Sequence, residues 1–231
     1  MINISNVQIG FHNKFFSIES LSLQKGFLYT LIGKNGIGKS TFFKTLSEQM
    51  PTFLGQIVWD SNLPKEKRIA FVTSKFDGVE HLNTYEYIAL GRAPYTNIFG
   101  KLTSEDHRFI ENIISQLDIS HLNKKETTKL SDGERQIASI ARALAQNTEL
   151  IILDEPTAFL DYYNKDKIIR LLLNIAKKRN CCIIQSSHDL DISVELADKI
   201  LIINPTDLNL IQFDKNFISK EQIIQLAFPI Y

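Results

Sequence analysis

The segment Gly33-Lys34-Asn35-Gly36-Ile37-Gly38-Lys39-Ser40 fits the pattern G-x-x-x-x-G-K-[ST] at every fixed position. It follows the apolar run TLI and opens the stretch STFFKTLSEQM, which reads as a helix ended by Pro51. A strand that turns through glycines into a helix aims backbone N–H groups inward at dihedrals that a Cβ would forbid. The helix N-terminus adds unpaired donors and a partial positive charge. Such a loop predicts a phosphate cradle, with Lys39 reaching β- and γ-phosphates and the Ser40 hydroxyl placed for Mg²⁺.

The remaining chain supports an α/β unit. Apolar runs in FLYTLIG, LIILD, CCIIQSS and KILIIN alternate with amphipathic segments near 162–180 and after 190, the pattern of a parallel sheet covered on both faces. Residues 1–32 are strand-rich, with further short strands in GQIVWD and RIAFVTS. The middle changes character: helices are predicted over 84–92, over 104–119 behind a capping box at Thr103–Asp106, and from Asp132 or Gly133. In the last of these, Ile137, Ile140, Ala141, Leu144 and Ala145 share one face and Arg135, Gln136, Ser139 and Arg142 the other. Ser219 and Gln222 form a second capping box before a short terminal helix.

Composition narrows the class. In 231 residues, 26 Lys and Arg balance 26 Asp and Glu, which leaves no electrostatic footprint for wrapping nucleic acid. No apolar run approaches the roughly 20 residues that a membrane-spanning helix needs, and the start MINISNVQIG has no secretory signature. Cys181 and Cys182 are adjacent, their Cα atoms about 3.8 Å apart across a trans peptide, too close for an ordinary disulfide. They are expected as small apolar residues of a buried strand.

The run Leu150-Ile151-Ile152-Leu153 ends in Asp154-Glu155. The carboxyl end of a buried strand is where open α/β sheets hold ligands. Asp154 is placed to hold Mg²⁺ through its water shell, and Glu155 to orient or deprotonate a water attacking the γ-phosphate.

With these residues in view the sequence resembles the ATP-binding-cassette ATPases over nearly its whole length. Leu130-Ser131-Asp132-Gly133-Glu134 is similar to the family's LSGGQ signature. DEPT at 154–157, Ala158-Phe159-Leu160-Asp161 and Ser187-His188-Asp189 resemble the segments that follow, in the family's order. The resemblance implies a P-loop NTPase fold with a mostly parallel core sheet, a β-rich N-terminal portion and a helical subdomain over about 84–147 within one domain, 1–231. It implies Mg-dependent ATP hydrolysis by a homodimer. Residues Gly33 to Thr41 (Gly33, Lys34, Asn35, Gly36, Ile37, Gly38, Lys39, Ser40, Thr41) bind nucleotide and Phe11 stacks on adenine. Ser131, Asp132, Gly133 and Glu134 face the partner's nucleotide, and Asp161 belongs to the D-loop. Glu155 and His188 organise hydrolysis, with Ser40 and Asp154 at the metal.

The sequence departs from the family pattern at three places. Asp132 stands at the first glycine of the signature and is expected to cap the helix, its side chain turned onto the N–H of Glu134 or Arg135. Glu134 replaces glutamine, at little cost on a solvent-facing helix start. Where the run RIAFVTS ends, at the place where the family has a glutamine near the metal, this chain has Ser74 or Lys75.

The stretch 82–106, LNTYEYIALGRAPYTNIFGKLTSED, resembles cassettes that drive uptake of iron chelates, haem or cobalamin. That implies an integral-membrane permease, a solute-binding protein and a location on the cytoplasmic face of the membrane. Residues 76–100, between a strand and the helical insertion, are expected to dock a short permease helix, with Tyr95, Ile98 and Phe99 supplying apolar contact. Two other readings compete. A soluble cassette protein working as an ATP-driven clamp usually carries two cassettes or a long insertion. A GTPase would need N-K-x-D, which Asn123-Lys124-Lys125-Glu126 does not complete.

Overall fold

The computed structural model describes residues 1–231 except His12, Lys75, His188, Ile230 and Tyr231. In chain order the elements are β1 (Ile2–Gly10), β2 (Lys14–Leu23), β3 (Leu28–Ile32), α1 (Lys39–Leu46), β4 (Leu54–Trp59), α2 (Lys65–Arg68), β5 (Ile69–Val72) and α3 (Thr84–Ala89). There follow α4 (Ser104–Leu117), α5 (Asp132–Gln146), β6 (Leu150–Leu153), α6 (Tyr162–Arg179), β7 (Cys182–Ser186), α7 (Leu190–Leu196), β8 (Lys199–Asn204), β9 (Asn209–Asp214) and α8 (Lys220–Ala227). They fall into two compact units, residues 1–62 with 169–231, and residues 63–168.

In the first unit the strand order is β4-β1-β2-β9-β8-β3-β7. Strands β8, β3 and β7 run parallel, and every residue of β3 and β7 is buried. These are the apolar runs that alternate with helices in the sequence. The β1–β2 and β1–β4 pairs are antiparallel and supply the β-rich N-terminal portion. A core of Ile32, Ile200 and Ile202 packs with Ala197, Ile223 and Ala227, tying α8 to the sheet. Ser219 caps α8 by accepting from the Gln222 N–H, as its sequence predicts. Strand β9 was not foreseen, and it pairs antiparallel with β8 from Lys199↔Asp214 to Asn204↔Asn209. Helix α1 stops at Leu46, short of Pro51, because Glu48 takes a left-handed conformation (φ 57°) and the chain turns there.

Cys181 and Cys182 are free and buried. Burial pushes the Cys181 thiol up to about 11 and the Cys182 thiol higher still, so neither is a thiolate at neutral pH.

In the second unit β5 and β6 pair in parallel, and α3, α4 and α5 form its helical part. The segment Leu90–Tyr95 continues α3 as a 3₁₀ helix. Its Arg92 donates to Asp106 Oδ1 on α4 (2.8 Å) and to the Ala145 carbonyl on α5 (3.1 Å). The guanidinium also stacks on Tyr95 at 3.9 Å and Phe109 at 4.8 Å, so one cation ties three helical segments together. Asp106 completes the capping box foreseen at Thr103.

The Thr103 hydroxyl and N–H, and then Arg92, hold the Asp106 carboxyl down at about 2, against an ordinary 3.8. The folded carboxyl stays ionised to lower pH than the unfolded one. It therefore stabilises the fold above about pH 4 and stops doing so as pH falls toward 2. Asp106→Asn is expected to lower stability at pH 7 by about 2–4 kcal/mol, by leaving Arg92 without its buried partner. It should also flatten the acid limb between pH 4 and 2 in urea denaturation run at a series of pH values. An unchanged acid limb would contradict the assignment.

Candidate functional site

The loop after β3 is built as its glycines require. Gly36 and Gly38 have φ of +78° and +110°, which L side chains rarely adopt. A Cβ on Gly38 would also meet Phe15 and Phe16 at 3.0 and 3.2 Å, whereas the space above Gly36 is open. Behind the loop, Phe42 of α1 packs edge-on to Phe16 (6.2 Å), which fixes the helix whose N-terminus faces the cradle. The Lys39 ammonium is buried and donates to the carbonyls of Gly33 (2.8 Å) and Lys34 (3.2 Å). Asn35, Gly36 and Ser40 are exposed, and Lys34, Ile37 and Thr41 are partly so. The loop thus sets one charged amine among its own carbonyls at the start of α1, with Asn35, Gly36 and Ser40 open to solvent. Phe11 lies just after β1 and is 62% exposed, so it is not a core phenylalanine.

In the second unit, β6 ends at Leu153, so both acids lie just past the strand. Asp154 is buried and its N–H donates to the Val72 carbonyl (2.9 Å), which extends the β5–β6 ladder by one residue. Glu155 holds a left-handed backbone (φ 51°), about 1–2 kcal/mol above the relaxed alternatives for a non-glycine residue. Strain of this kind collects at functional positions. Three residues on, the Ala158 N–H closes a turn onto the Glu155 carbonyl (3.2 Å). Asp161 caps α6, accepting from the Asn164 N–H (2.8 Å) and amide (3.0 Å).

The signature residues sit at the start of α5, where Asp132 does not have the expected role. The N-cap is Ser131, whose hydroxyl accepts from the Glu134 N–H, while Glu134 accepts from the Ser131 N–H (2.7 Å). With the cap position filled, Asp132 is the first helical residue and its Oδ1 is drawn to Arg135 Nη2 at 2.5 Å. Nor is Glu134 a passive replacement. The Lys125 ammonium donates to it at 2.7 Å, and that bond with the Ser131 N–H holds its carboxyl below the usual range. Gln136 and Ser139, expected on the polar face, are buried, and the Ser139 hydroxyl meets Tyr87 Oη at 3.2 Å. Burial on α5 thus reaches beyond its apolar stripe.

Gly133 lies against the turn before α6, where a Cβ would meet Phe159 O and Leu160 Cδ2 at 3.2 Å. Ser74, Phe76, Asp77, Asp132, Arg135, Gln136 and Phe159 line a cavity of about 260 Å³. The second unit therefore gathers the signature, the D-loop and the segment at Ser74. Ser74 is partly buried. Lys75 and His188 lie outside the described residues. Next to the latter, Ser187 is buried and pinned by the Ser193 hydroxyl (2.6 Å). Arg135 and Lys125 are the partners that sequence reasoning missed. An Asp three residues before an Arg at a helix start was the signal for the first. For the second, nine residues distant in sequence, there was none.

Among known proteins, the description "ABC transporter" fits residues 17–158 of this chain, well over half of it. An uncharacterised ABC transporter ATP-binding protein of Methanocaldococcus jannaschii is 32% identical over 98% of this chain and 81% of its own length. The molybdate import ATP-binding protein MolC of Haemophilus influenzae is 31% identical, over 96% and 87%. A solved inward-facing metal-chelate type ABC transporter superposes with a TM-score of 0.84 at 29% identity, covering 98% of this chain and 88% of that one. The chain belongs to the ABC transporter family. It has the family's P-loop ATPase fold, and membership implies binding and hydrolysis of ATP.

The capping box sets how firmly the signature is held. Ser131→Ala is expected to cost about 1 kcal/mol in chemical denaturation, whereas Glu134→Gln, which keeps an acceptor for the Ser131 N–H, should cost less. Equal costs would mean that the Lys125 contact, and not the cap, secures this end of α5.

Proposed function

We propose that this chain is the ATP-hydrolysing subunit of an ABC importer for a metal-bearing solute of the iron-chelate, haem or cobalamin kind. The observation that carries the reading is the intact phosphate loop, with its left-handed glycines and buried lysine, in a chain that also has a capped signature helix. The cargo class draws support from the metal-chelate transporter it resembles and from the 82–106 segment. The molybdate importer carries a metal oxyanion and widens that class.

In this reading two copies pair, and each copy's Ser131–Glu134 faces nucleotide held by its partner's Gly33–Thr41, with adenine stacked on Phe11. The Ser40 hydroxyl and the Asp154 carboxylate are hard oxygen donors. In this reading such donors would hold Mg²⁺, whose habit is a few protein oxygens completed by phosphate and water. Bound there, the ion would neutralise charge on the phosphates. Glu155, at its strained turn, orients the attacking water and accepts its proton. His188 steadies the same water, a role resting on its place in the sequence. Asp161 fixes the start of α6 beside the signature. The work is positioning and electrostatics, with no covalent intermediate.

No described helix is long and apolar enough to cross a membrane, so in this reading a permease supplies the spanning segments and holds the subunit at the cytoplasmic face. A solute-binding protein would deliver the cargo. Ile98 and Phe99, 95% and 85% exposed on the loop before α4, suit docking to such a permease. Tyr95 does not join them. Its ring carries Arg92 and Lys67, and its hydroxyl donates to the Asn147 carbonyl (3.1 Å).

Glu155→Gln tests the catalytic assignment. ATP binding should persist while hydrolysis falls at least about a hundredfold, and ATP should hold the variant as a dimer in sedimentation. Turnover at the wild-type rate would remove Glu155 from the mechanism.

A further inference from the structure

Asp132 places a full negative charge on the first residue of α5, where the family pattern has glycine. The N-terminus of a helix carries only about half a positive charge. An unpaired carboxylate there would reverse the local potential and repel a phosphate. The structure pairs it. Arg135 Nη2 stands 2.5 Å from Asp132 Oδ1, and Nη1 donates to the Thr128 carbonyl at 3.4 Å, so the guanidinium is held from two directions. The arginine side chain is 21% exposed against 64% for the aspartate, so the cation lies beneath the carboxylate it neutralises. Asp77 lines the same cavity, and among the described residues that line it Arg135 is the one cation.

We propose that Arg135 is a positioning residue that cancels the charge of Asp132. It thereby allows a signature bearing a carboxylate to accept the phosphates of ATP held by a second copy of this chain. The pair restores the net positive end of α5 and draws the carboxylate back along the first turn, leaving backbone N–H groups to meet the phosphate. This rests on the reading in which α5 meets the partner's nucleotide.

The carboxylate of the pair faces solvent and the pair spans i to i+3, so removing it is expected to cost the fold little, which circular dichroism of the variants checks. Its consequence is read in ATP-driven pairing. In a Glu155→Gln background, the ATP concentration at half-maximal dimer is measured by sedimentation, with and without Arg135→Gln. Removing the arginine should raise that midpoint about tenfold or more. In an added Asp132→Gly background the same change should move it less than about twofold, because no carboxylate then needs cancelling. Arg135→Lys, which keeps the charge, should stay within about threefold of the parent.

No shift with Arg135→Gln, or an equal shift in both backgrounds, would overturn the proposal while leaving paired copies standing. Failure of the Glu155→Gln chain to dimerise with ATP would overturn both.

Discussion

The buried ammonium of Lys39, lodged between the carbonyls of Gly33 and Lys34, depends on everything around it being right. A cation in that position is tolerable only where carbonyl oxygens replace its water. The loop closes around that ammonium through the left-handed backbones of Gly36 and Gly38. The glycines turn in place because β3 is fully buried on one side and Phe42 anchors α1 on the other. The apolar layering of the first unit thus ends in a loop that holds one buried ammonium at the start of α1.

The second unit follows a similar rule with different parts. Its acids stand just past a buried strand, where Asp154 is held by the ladder and Glu155 by a strained turn. Its signature stands at a helix start closed by a reciprocal cap. Arg92, wedged between Asp106, two aromatic rings and a carbonyl, binds together the helical segments that carry that signature. A fold that holds short polar motifs on the ends of rigid elements keeps them oriented before any ligand arrives.

What was legible in the sequence was mostly local. The phosphate loop, the caps at Thr103 and Ser219 and the buried cysteines announce themselves within a few residues of chain. Strand β9 did not, because Gln212 interrupts its short apolar run and its partner β8 defines it. The inner face of α5 was misread for a related reason. Periodicity marks one apolar stripe, whereas Gln136 and Ser139 are buried by neighbours from elsewhere in the chain. Asp132 offered two local partners, a backbone N–H and the Arg135 side chain. Ser131 had already taken the backbone.

The central claim is that the Gly33–Thr41 loop binds ATP through Lys39. Equilibrium titration with a fluorescent ATP analogue in the presence of Mg²⁺, on the wild type and on Lys39→Ala with matching circular dichroism, tests it directly. Saturable binding that ATP competes better than GTP, weakened about a hundredfold or more by Lys39→Ala, is the predicted result. Binding of equal strength in the two proteins would contradict it.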